Sequence, residues 1–521
     1  MRNYIKILSL LALTVVACEP EFDKPIDASG FYSKGEADFS HYVALGNSIT
    51  AGYADGALYI TGQENSYPNI LAQQFAKVQQ TDLFTQPLMA DNAGGLLAAG
   101  NQITNNRLVL AVDANGNPSP KVYTGMAPTT DIVNHLDGPF GNMGVPGAKS
   151  YHLLAPNYGN IAGVAAGAAN PYFVRFASDP AATVIADAVA QNPTFFSLFI
   201  GNNDVLGYAT SGGTGVDQTG NLDPSTYASN DITDPQVFAS TYSQLVTALT
   251  STGAQGVLLN IPDVTSLPYF TTIPNNALVL DASTAANLTG FFQAVAGIVA
   301  QGAMQQGLPA DQAQALASQY AITFHEGANN FLIDVPVSQT NPLGFRQMTD
   351  NELLVLTVDQ SALAQGYGSV QLTPEVMQIL GILQQGGTPT QEQAQLVLDA
   401  VSGIDDKDAL DTDELSHIAT ATAAYNETIK NLADANNLAY VDTKSILTQV
   451  ANGGIPFDGG TLTSTFVTGG AFSLDGIHPT PRGYAYIANK VIEAINTTYH
   501  SSVPKVNIGS YGTVTLNNEV Q

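Results

Sequence analysis

Two segments that lie far apart in the chain contain residue types that together can form an activated nucleophile. In residues 44–53, Ser48 follows a short apolar run and stands at the start of a predicted helix. In residues 474–480, Asp475 precedes His478 by three positions, in a loop before another predicted helix. An imidazole can take the proton of a serine hydroxyl, and a carboxylate can orient that imidazole and stabilise its charged form. Read alone, Ser48 is also typical of an ordinary helix N-cap.

Two further segments offer hydrogen-bond donors for a negatively charged oxygen. Residues 201–204, directly after an apolar run, include Asn203, whose side-chain amide can donate to an oxyanion. Residues 142–147 end on Gly147, whose backbone N–H has no side chain in its way. Both segments are also typical turn sequences, because Gly and Asn favour turns.

Taken in order, the four segments resemble the four sequence blocks of the SGNH/GDSL hydrolase family. The resemblance implies a carboxylic ester hydrolase with Ser48 as nucleophile, His478 as general base and then general acid, and Asp475 orienting the imidazole. It implies an oxyanion hole made by the backbone N–H groups of Ser48 and Gly147 and by the Asn203 side chain. It also implies an α/β fold, a three-layer α/β/α sandwich with a parallel sheet of flavodoxin type.

The resemblance covers residues 41–268 and 412–497 and has one departure. The family's usual Asp before the serine is Asn47 here. That Asp is not the acid of the triad, so we expect the chemistry to survive. Residues 260–268 are also similar to a segment found after a central strand in longer GDSL lipases.

The elements that must position these residues are predicted by hydrophobic pattern. Four apolar runs predict strands, at residues 42–45, 194–200, 256–261 and 438–441. The run 194–200 is continuous, as expected for a strand covered on both faces. Their alternation with amphipathic helices predicts a parallel α/β sheet.

Two helices are predicted most clearly. One carries apolar residues three or four apart between Leu415 and Leu432, with Asp411 and Glu414 as a capping box. The other begins at Pro481, which suits the first helical position.

One stretch of the chain falls outside the family pattern. Residues 269–411, rich in Ala and Gln, predict a large helical insertion within a hydrolase domain at 41–500. Apolar stripes such as Phe291, Val295 and Ile298 indicate a packed helical subdomain, or alternatively a lid over an acyl pocket. Residues 501–521 are interpreted as a C-terminal tail.

The N-terminus predicts export and a lipid anchor. Arg2 and Lys6 precede the apolar stretch 7–16, which is too short to span a bilayer, and Ala17 precedes Cys18, the only cysteine. We interpret residues 1–17 as a lipoprotein signal peptide, Cys18 as the lipidated residue and 18–40 as a tether. Glu19 follows the cysteine where inner-membrane retention usually has Asp, which favours the outer membrane. A plain signal peptide with an incidental cysteine is the alternative.

Composition limits the remaining partners. The formal charge of −28 argues against nucleic acid, because phosphate contacts need clustered Lys and Arg. The sequence has no cluster of His or Cys at the spacing of metal ligands, so we expect no metal and no cofactor. The expected substrate is a small-molecule or lipid ester.

Three functions remain open from the sequence. The leading one is hydrolysis of lipid or other acyl esters. The same four blocks also serve O-deacetylases of glycans, and a non-catalytic surface-binding protein could be built on this fold. Hydrolysis of p-nitrophenyl esters discriminates among them.

Overall fold

The structure is a computed structural model that describes residues 31–385 and 387–520. The predicted signal peptide, Cys18 and most of the predicted tether lie outside these residues.

A five-stranded parallel sheet forms the centre of the fold. Its strands are β1 (Tyr42–Gly46), β2 (Asn142–Gly144), β3 (Phe195–Phe199), β4 (Gln255–Leu259) and β5 (Ala439–Val441). Their lateral order is β2-β1-β3-β4-β5. The prediction of a parallel α/β sheet is therefore confirmed. Four of the five strands correspond to the predicted apolar runs, and β2 was not predicted.

Helices flank the sheet and fill the insertion. They are α1 (Ser48–Ala51), α2 (Tyr67–Phe75), α3 (Val184–Val189), α4 (Asn203–Thr210), α5 (Pro235–Thr250), α6 (Ala282–Gln305), α7 (Ala310–Ser318), α8 (Pro374–Gln384), α9 (Gln391–Asp399), α10 (Thr412–Ala435), α11 (Thr443–Asn452) and α12 (Pro481–Thr498). Shorter helices span Ile60–Glu64, Pro171–Val174, Pro268–Thr271 and Gln360–Ala364.

The sheet divides its side chains between two hydrophobic clusters because successive strand residues point to opposite faces. Val43 and Phe196 pack in a cluster that includes residues of α3, α5 and α10. Their neighbours Tyr42 and Phe195 pack in another that includes residues of α2 and α12. The strands are thus apolar on both faces, which is why they appear in the sequence as continuous apolar runs.

The two predicted helices form as expected. Asp411 caps α10 in a reciprocal box, in which its side chain accepts from Glu414 N at 2.9 Å and Glu414 accepts from Asp411 N at 2.7 Å. Pro481 opens α12, and the Thr480 hydroxyl accepts from Gly483 N at 3.1 Å.

The insertion is less helical than the sequence suggested. Besides α6 to α9 it contains four antiparallel strand pairs, Leu278–Leu280 with Gly327–Asn329, Leu332–Asp334 with Phe345–Gln347, Leu353–Leu354 with Ala409–Leu410, and Ser369–Val370 with Val401–Ser402. The Ala- and Gln-rich runs form the helices, whereas the strands are too short to show a periodic pattern. Phe291 and Phe292 are fully buried in a cluster formed within the insertion.

Both predicted flanking segments pack more tightly than expected. Ala37 and Phe39, assigned to the tether, are fully buried in the cluster beneath α2 and α12. In the predicted C-terminal tail, Val503 and Ile508 are buried in the same cluster. Leu516 forms a β-bridge with Leu110, which lies in the antiparallel pair of Leu108–Val112 with Pro118–Val122. These flanking segments pack against the domain because they carry apolar side chains at the buried positions.

In the described part of the chain, no helix has the length and hydrophobicity to cross a bilayer.

Candidate active site

The nucleophile candidate Ser48 lies directly beyond the carboxyl end of β1. It is the first residue of α1, and the preceding Asn47 caps the helix by accepting from Ile49 N at 3.1 Å. Glycine is required at position 46, because a Cβ there would overlap Phe199 O and the Thr50 side chain. The tight strand-to-helix turn presents a serine that is 7% exposed.

Ser48, His478 and Asp475 form one hydrogen-bonded row. Ser48 Oγ lies 2.9 Å from His478 Nε2, and His478 Nδ1 lies 2.9 Å from Asp475 Oδ2. With its proton on Nδ1, the imidazole donates to the carboxylate and accepts from the serine hydroxyl. The side chains of His478 and Asp475 are each 12% exposed. The arrangement can therefore move a proton off the serine in a largely desolvated setting.

Asp475 is held by donors on both oxygens. Oδ1 accepts from the backbone N–H groups of Ile477 and His478, each at 2.8 Å, and from Ser473 Oγ at 3.0 Å. Oδ2 accepts from Gly56 N at 2.8 Å. Burial alone would raise the pKa of Asp475, but the facing imidazole and these hydrogen bonds lower that pKa to about 2. The carboxylate is therefore ionised at neutral pH.

A turn at residues 54–57 forms hydrogen bonds with the loop that carries Asp475. Asp55 N donates to Ser473 Oγ at 2.9 Å, and Leu474 N donates to Asp55 Oδ1 at 3.0 Å. Tyr59 donates to the other Asp55 oxygen at 2.7 Å. Burial raises the pKa of Asp55 to about 6, with the Asp475 charge adding to the effect and the donated hydrogen bonds opposing it. The sequence interpretation missed Asp55, although an Asp-Gly pair soon after the nucleophile is a visible turn signal.

The three predicted oxyanion donors lie at the same edge of the sheet. In the described part of the chain, neither Ser48 N–H nor Gly147 N–H donates to a protein acceptor. Gly147 has a φ of +79°, which favours glycine there. Asn203 Nδ2 donates to Ala148 O at 2.9 Å, which fixes the amide and leaves its second N–H available.

Asp204 links the segment of Asn203 to the segment of Gly147 through hydrogen bonds to Ser150. The sequence interpretation also missed this residue. Its carboxylate is fully buried and accepts from Ser150 N at 2.8 Å and Ser150 Oγ at 2.7 Å. Burial raises the pKa of Asp204, against the Ser150 hydrogen bonds and the nearby Lys149 charge. The pair joins the start of α4 to the loop that carries Gly147.

The departure at Asn47 is accommodated locally. Asn47 Nδ2 donates to Asn202 Oδ1 at 2.9 Å, and both side chains are buried. Asn47 thus links the Ser48 turn to the Asn203 turn while its own oxygen caps α1. An amide at this position performs both roles, so the serine loop is supported without an Asp.

Comparison of the chain with family models, curated proteins and solved structures gives no match. The chemistry of the site is therefore argued from its geometry.

A mostly apolar pocket opens beside the row of Ser48, His478 and Asp475. Its empty volume is about 900 Å³, including its mouth, and Ser48, Asn203 and His478 are part of its wall. The rest of the wall comes mainly from the ends of β3 and β5, residues 262–267, and helices α11 and α12. None of the described residues between 269 and 411 lines it, so the insertion does not cover this pocket as the lid interpretation required.

Within residues 31–385 and 387–520, no group of three or more His, Cys, Asp or Glu side chains has the arrangement of a metal site.

Proposed function

We propose that the chain is a carboxylic ester hydrolase of the SGNH type that acts on acyl esters. The observation that carries the proposal is the hydrogen-bonded row from Ser48 Oγ through His478 to Asp475, with 2.9 Å at each step. Ser48 and His478 are 430 positions apart in the sequence, so their contact is not the product of a local turn.

In the proposed reaction, Ser48 Oγ attacks the ester carbonyl while His478 Nε2 takes the hydroxyl proton. The carbonyl oxygen gains negative charge and is held by the backbone N–H groups of Ser48 and Gly147 and by Asn203. The ester C–O bond then breaks, and His478 donates its proton to the leaving alkoxide. Water, deprotonated by His478, attacks the acyl-enzyme, releases the acid and restores Ser48.

The fold supports the same proposal. The strand order β2-β1-β3-β4-β5 is that of the flavodoxin-type doubly wound sheet, in which ligands bind beyond the carboxyl ends of the strands. Hydrophobic clusters with helical residues on both faces support the three-layer α/β/α sandwich.

The pocket favours acyl esters over the alternative, an O-deacetylase of glycans. A sugar needs polar partners around its ring, whereas the wall beside Ser48 is almost wholly apolar. A non-catalytic binding protein would not need a serine, a histidine and an aspartate joined by hydrogen bonds.

We also retain the proposal that the protein is exported and anchored to the outer membrane through a lipid on Cys18. Replacement of Cys18 by Ser should abolish labelling by radioactive palmitate and move the protein to the soluble fraction. A variant that stays with membranes would contradict the lipid as sole anchor.

The test of function uses p-nitrophenyl esters and the Ser48→Ala variant. Because loss of a triad nucleophile costs several orders of magnitude, we expect a loss of turnover of about 10⁴-fold or more, with an unchanged thermal midpoint. A Ser48→Ala enzyme that keeps more than about a tenth of wild-type turnover would contradict the assignment.

A further inference from the structure

Two of the helices that line the apolar pocket beside Ser48 contribute residues at the same helical spacing. On α11 the lining residues are Thr443, Ile446, Leu447 and Val450. On α12 they are Gly483, Tyr486, Ile487 and Lys490. Both sets follow the spacing i, i+3, i+4, i+7, so each helix turns one face to the pocket over about 10 Å of its length.

Several apolar residues remain partly exposed on this wall although they pack against the core. They are Ile49, Leu206, Ile446, Phe472, Ile477 and Ile487. Apolar surface left in contact with water is unfavourable by about 25 cal/mol per Å², and a concave cluster of it is typical of a ligand site. An apolar occupant would remove this surface from water.

Among the described residues, one Lys and no Arg lines the wall, and that Lys is already paired. Lys490 Nζ donates to Glu493 at 2.9 Å and lies 5.4 Å from the centre of the Tyr486 ring. An anionic ligand would have to compete with Glu493 for it. Of the polar groups near the nucleophile, His478 belongs to the hydrogen-bonded row and Asn203 to the proposed oxyanion hole.

We propose that this pocket binds the acyl chain of the substrate, so that esters several methylenes longer than acetate are preferred, and that Ile446 and Ile487 determine the chain length. This inference rests on the proposed function, because it places the ester carbonyl at Ser48. The stripes are longer than an acetyl group, so acetate leaves most of the wall uncovered.

The first experiment measures kcat/KM of the full chain for p-nitrophenyl acetate, butyrate and octanoate. Each methylene that enters the pocket should raise kcat/KM by about fourfold, since burying a methylene in an apolar site is favourable by roughly that factor. A profile that falls from acetate to octanoate would overturn the proposal. If no ester is hydrolysed in a Ser48-dependent manner, the proposed function fails instead.

The second experiment alters the wall. Ile446→Phe and Ile487→Phe should lower the octanoate-to-acetate ratio of kcat/KM by at least about tenfold, because pocket shape discriminates single methylenes by such factors. The matched control is Thr448→Phe, on the exposed side of the same helix, which should leave the ratio unchanged. Should the Phe variants fail to fold, Ile446→Ala and Ile487→Ala should raise the palmitate-to-octanoate ratio. Ratios unchanged in the folded variants would overturn the proposal.

Discussion

The sheet region, residues 41–268 and 412–500, and the insertion, residues 269–411, are built on different plans. In the sheet region, parallel strands bring distant segments to one edge, and all of the proposed site residues lie there. In the insertion, the strand pairs are short and antiparallel, and the helices pack around Phe291 and Phe292. The proposed reactive groups thus collect where parallel strands end, whereas the described residues of the insertion, which is less than half as long as the sheet region, contribute none of them to the pocket.

The two regions meet at the loop that carries Asp475 and His478. Tyr269 N donates to Gly476 O at 3.0 Å, and Leu356 packs against the same glycine. Gly476 has a φ of +72°, and a Cβ there would come within 3.0 Å of both Leu356 and Tyr269 N. The insertion therefore supports this loop through Gly476.

The largest effect that separates the two regions is expected from one chemical change made in each. Asp475→Asn should lower kcat by about 10⁴-fold, because the amide favours the wrong imidazole tautomer. Asp281→Asn, at the exposed N-cap of α6 in the insertion, should leave kcat unchanged because Asn also caps helices. The check is steady-state kinetics of both variants. Near-normal turnover in Asp475→Asn would mean that the carboxylate is only a loop residue.

A smaller effect is expected from a matched pair of asparagines. Asn203→Ala should lower kcat by about 10² to 10³-fold with little change in KM, as expected for loss of one oxyanion donor. Asn329→Ala, which removes a buried amide bonded to His325 O and Gly327 O in the insertion, should lower the thermal midpoint but not kcat. A change confined to KM in Asn203→Ala would make Asn203 a substrate-binding residue.

A third prediction concerns the pH dependence of stability at Asp55. Its pKa is about 6 in the folded protein against ~3.9 in an unfolded chain, so the folded state binds more protons between these values. Stability contributed by Asp55 therefore falls as pH rises from about 4 to about 6, by on the order of 2 to 3 kcal/mol.

Asp55→Asn removes this titration and keeps an acceptor for Leu474 N. The thermal midpoint of the variant relative to wild type should therefore rise across the same pH interval. Thermal melts in matched buffers check this, and a difference that does not vary with pH would contradict it.

The smallest effect on activity is expected from the core of the insertion. Phe292→Ala should cost about 3 to 5 kcal/mol of unfolding free energy, because it leaves a cavity at a fully buried position. The octanoate-to-acetate ratio of kcat/KM should not change, since Phe292 does not line the pocket. An altered ratio in a folded Phe292→Ala enzyme would restore the lid interpretation.

The part of the fold that could be predicted from sequence is the part with continuous or periodic patterns. Strands β1, β3, β4 and β5 are apolar runs. Helices α10 and α12 have capping residues at their N-termini and apolar residues three or four positions apart, and both features are visible in the sequence. By contrast, β2 has three residues, Asn142 to Gly144, and is defined by its pairing with β1 rather than by propensity. The short strand pairs of the insertion escaped prediction for the same reason.

The candidate site divides in a similar way. Ser48, Gly147, Asn203, Asp475 and His478 are predicted from their sequence blocks, and the structure brings Ser48, His478 and Asp475 into hydrogen-bond contact. The residues that hold them are not. Asp55 acts on the backbone of Leu474, 419 positions away, and such a contact leaves no pattern in one sequence.

The central claim is that Ser48 is the activated nucleophile of this chain, and covalent trapping tests it most directly. A fluorophosphonate loses fluoride when an activated serine attacks phosphorus, leaving a stable phosphonyl ester on that oxygen. After incubation of the full chain, peptide mass spectrometry should find a single adduct, on Ser48, formed in step with loss of esterase activity and much more slowly in Asp475→Asn. An adduct on another residue, or full inactivation with Ser48 unmodified, would contradict the account.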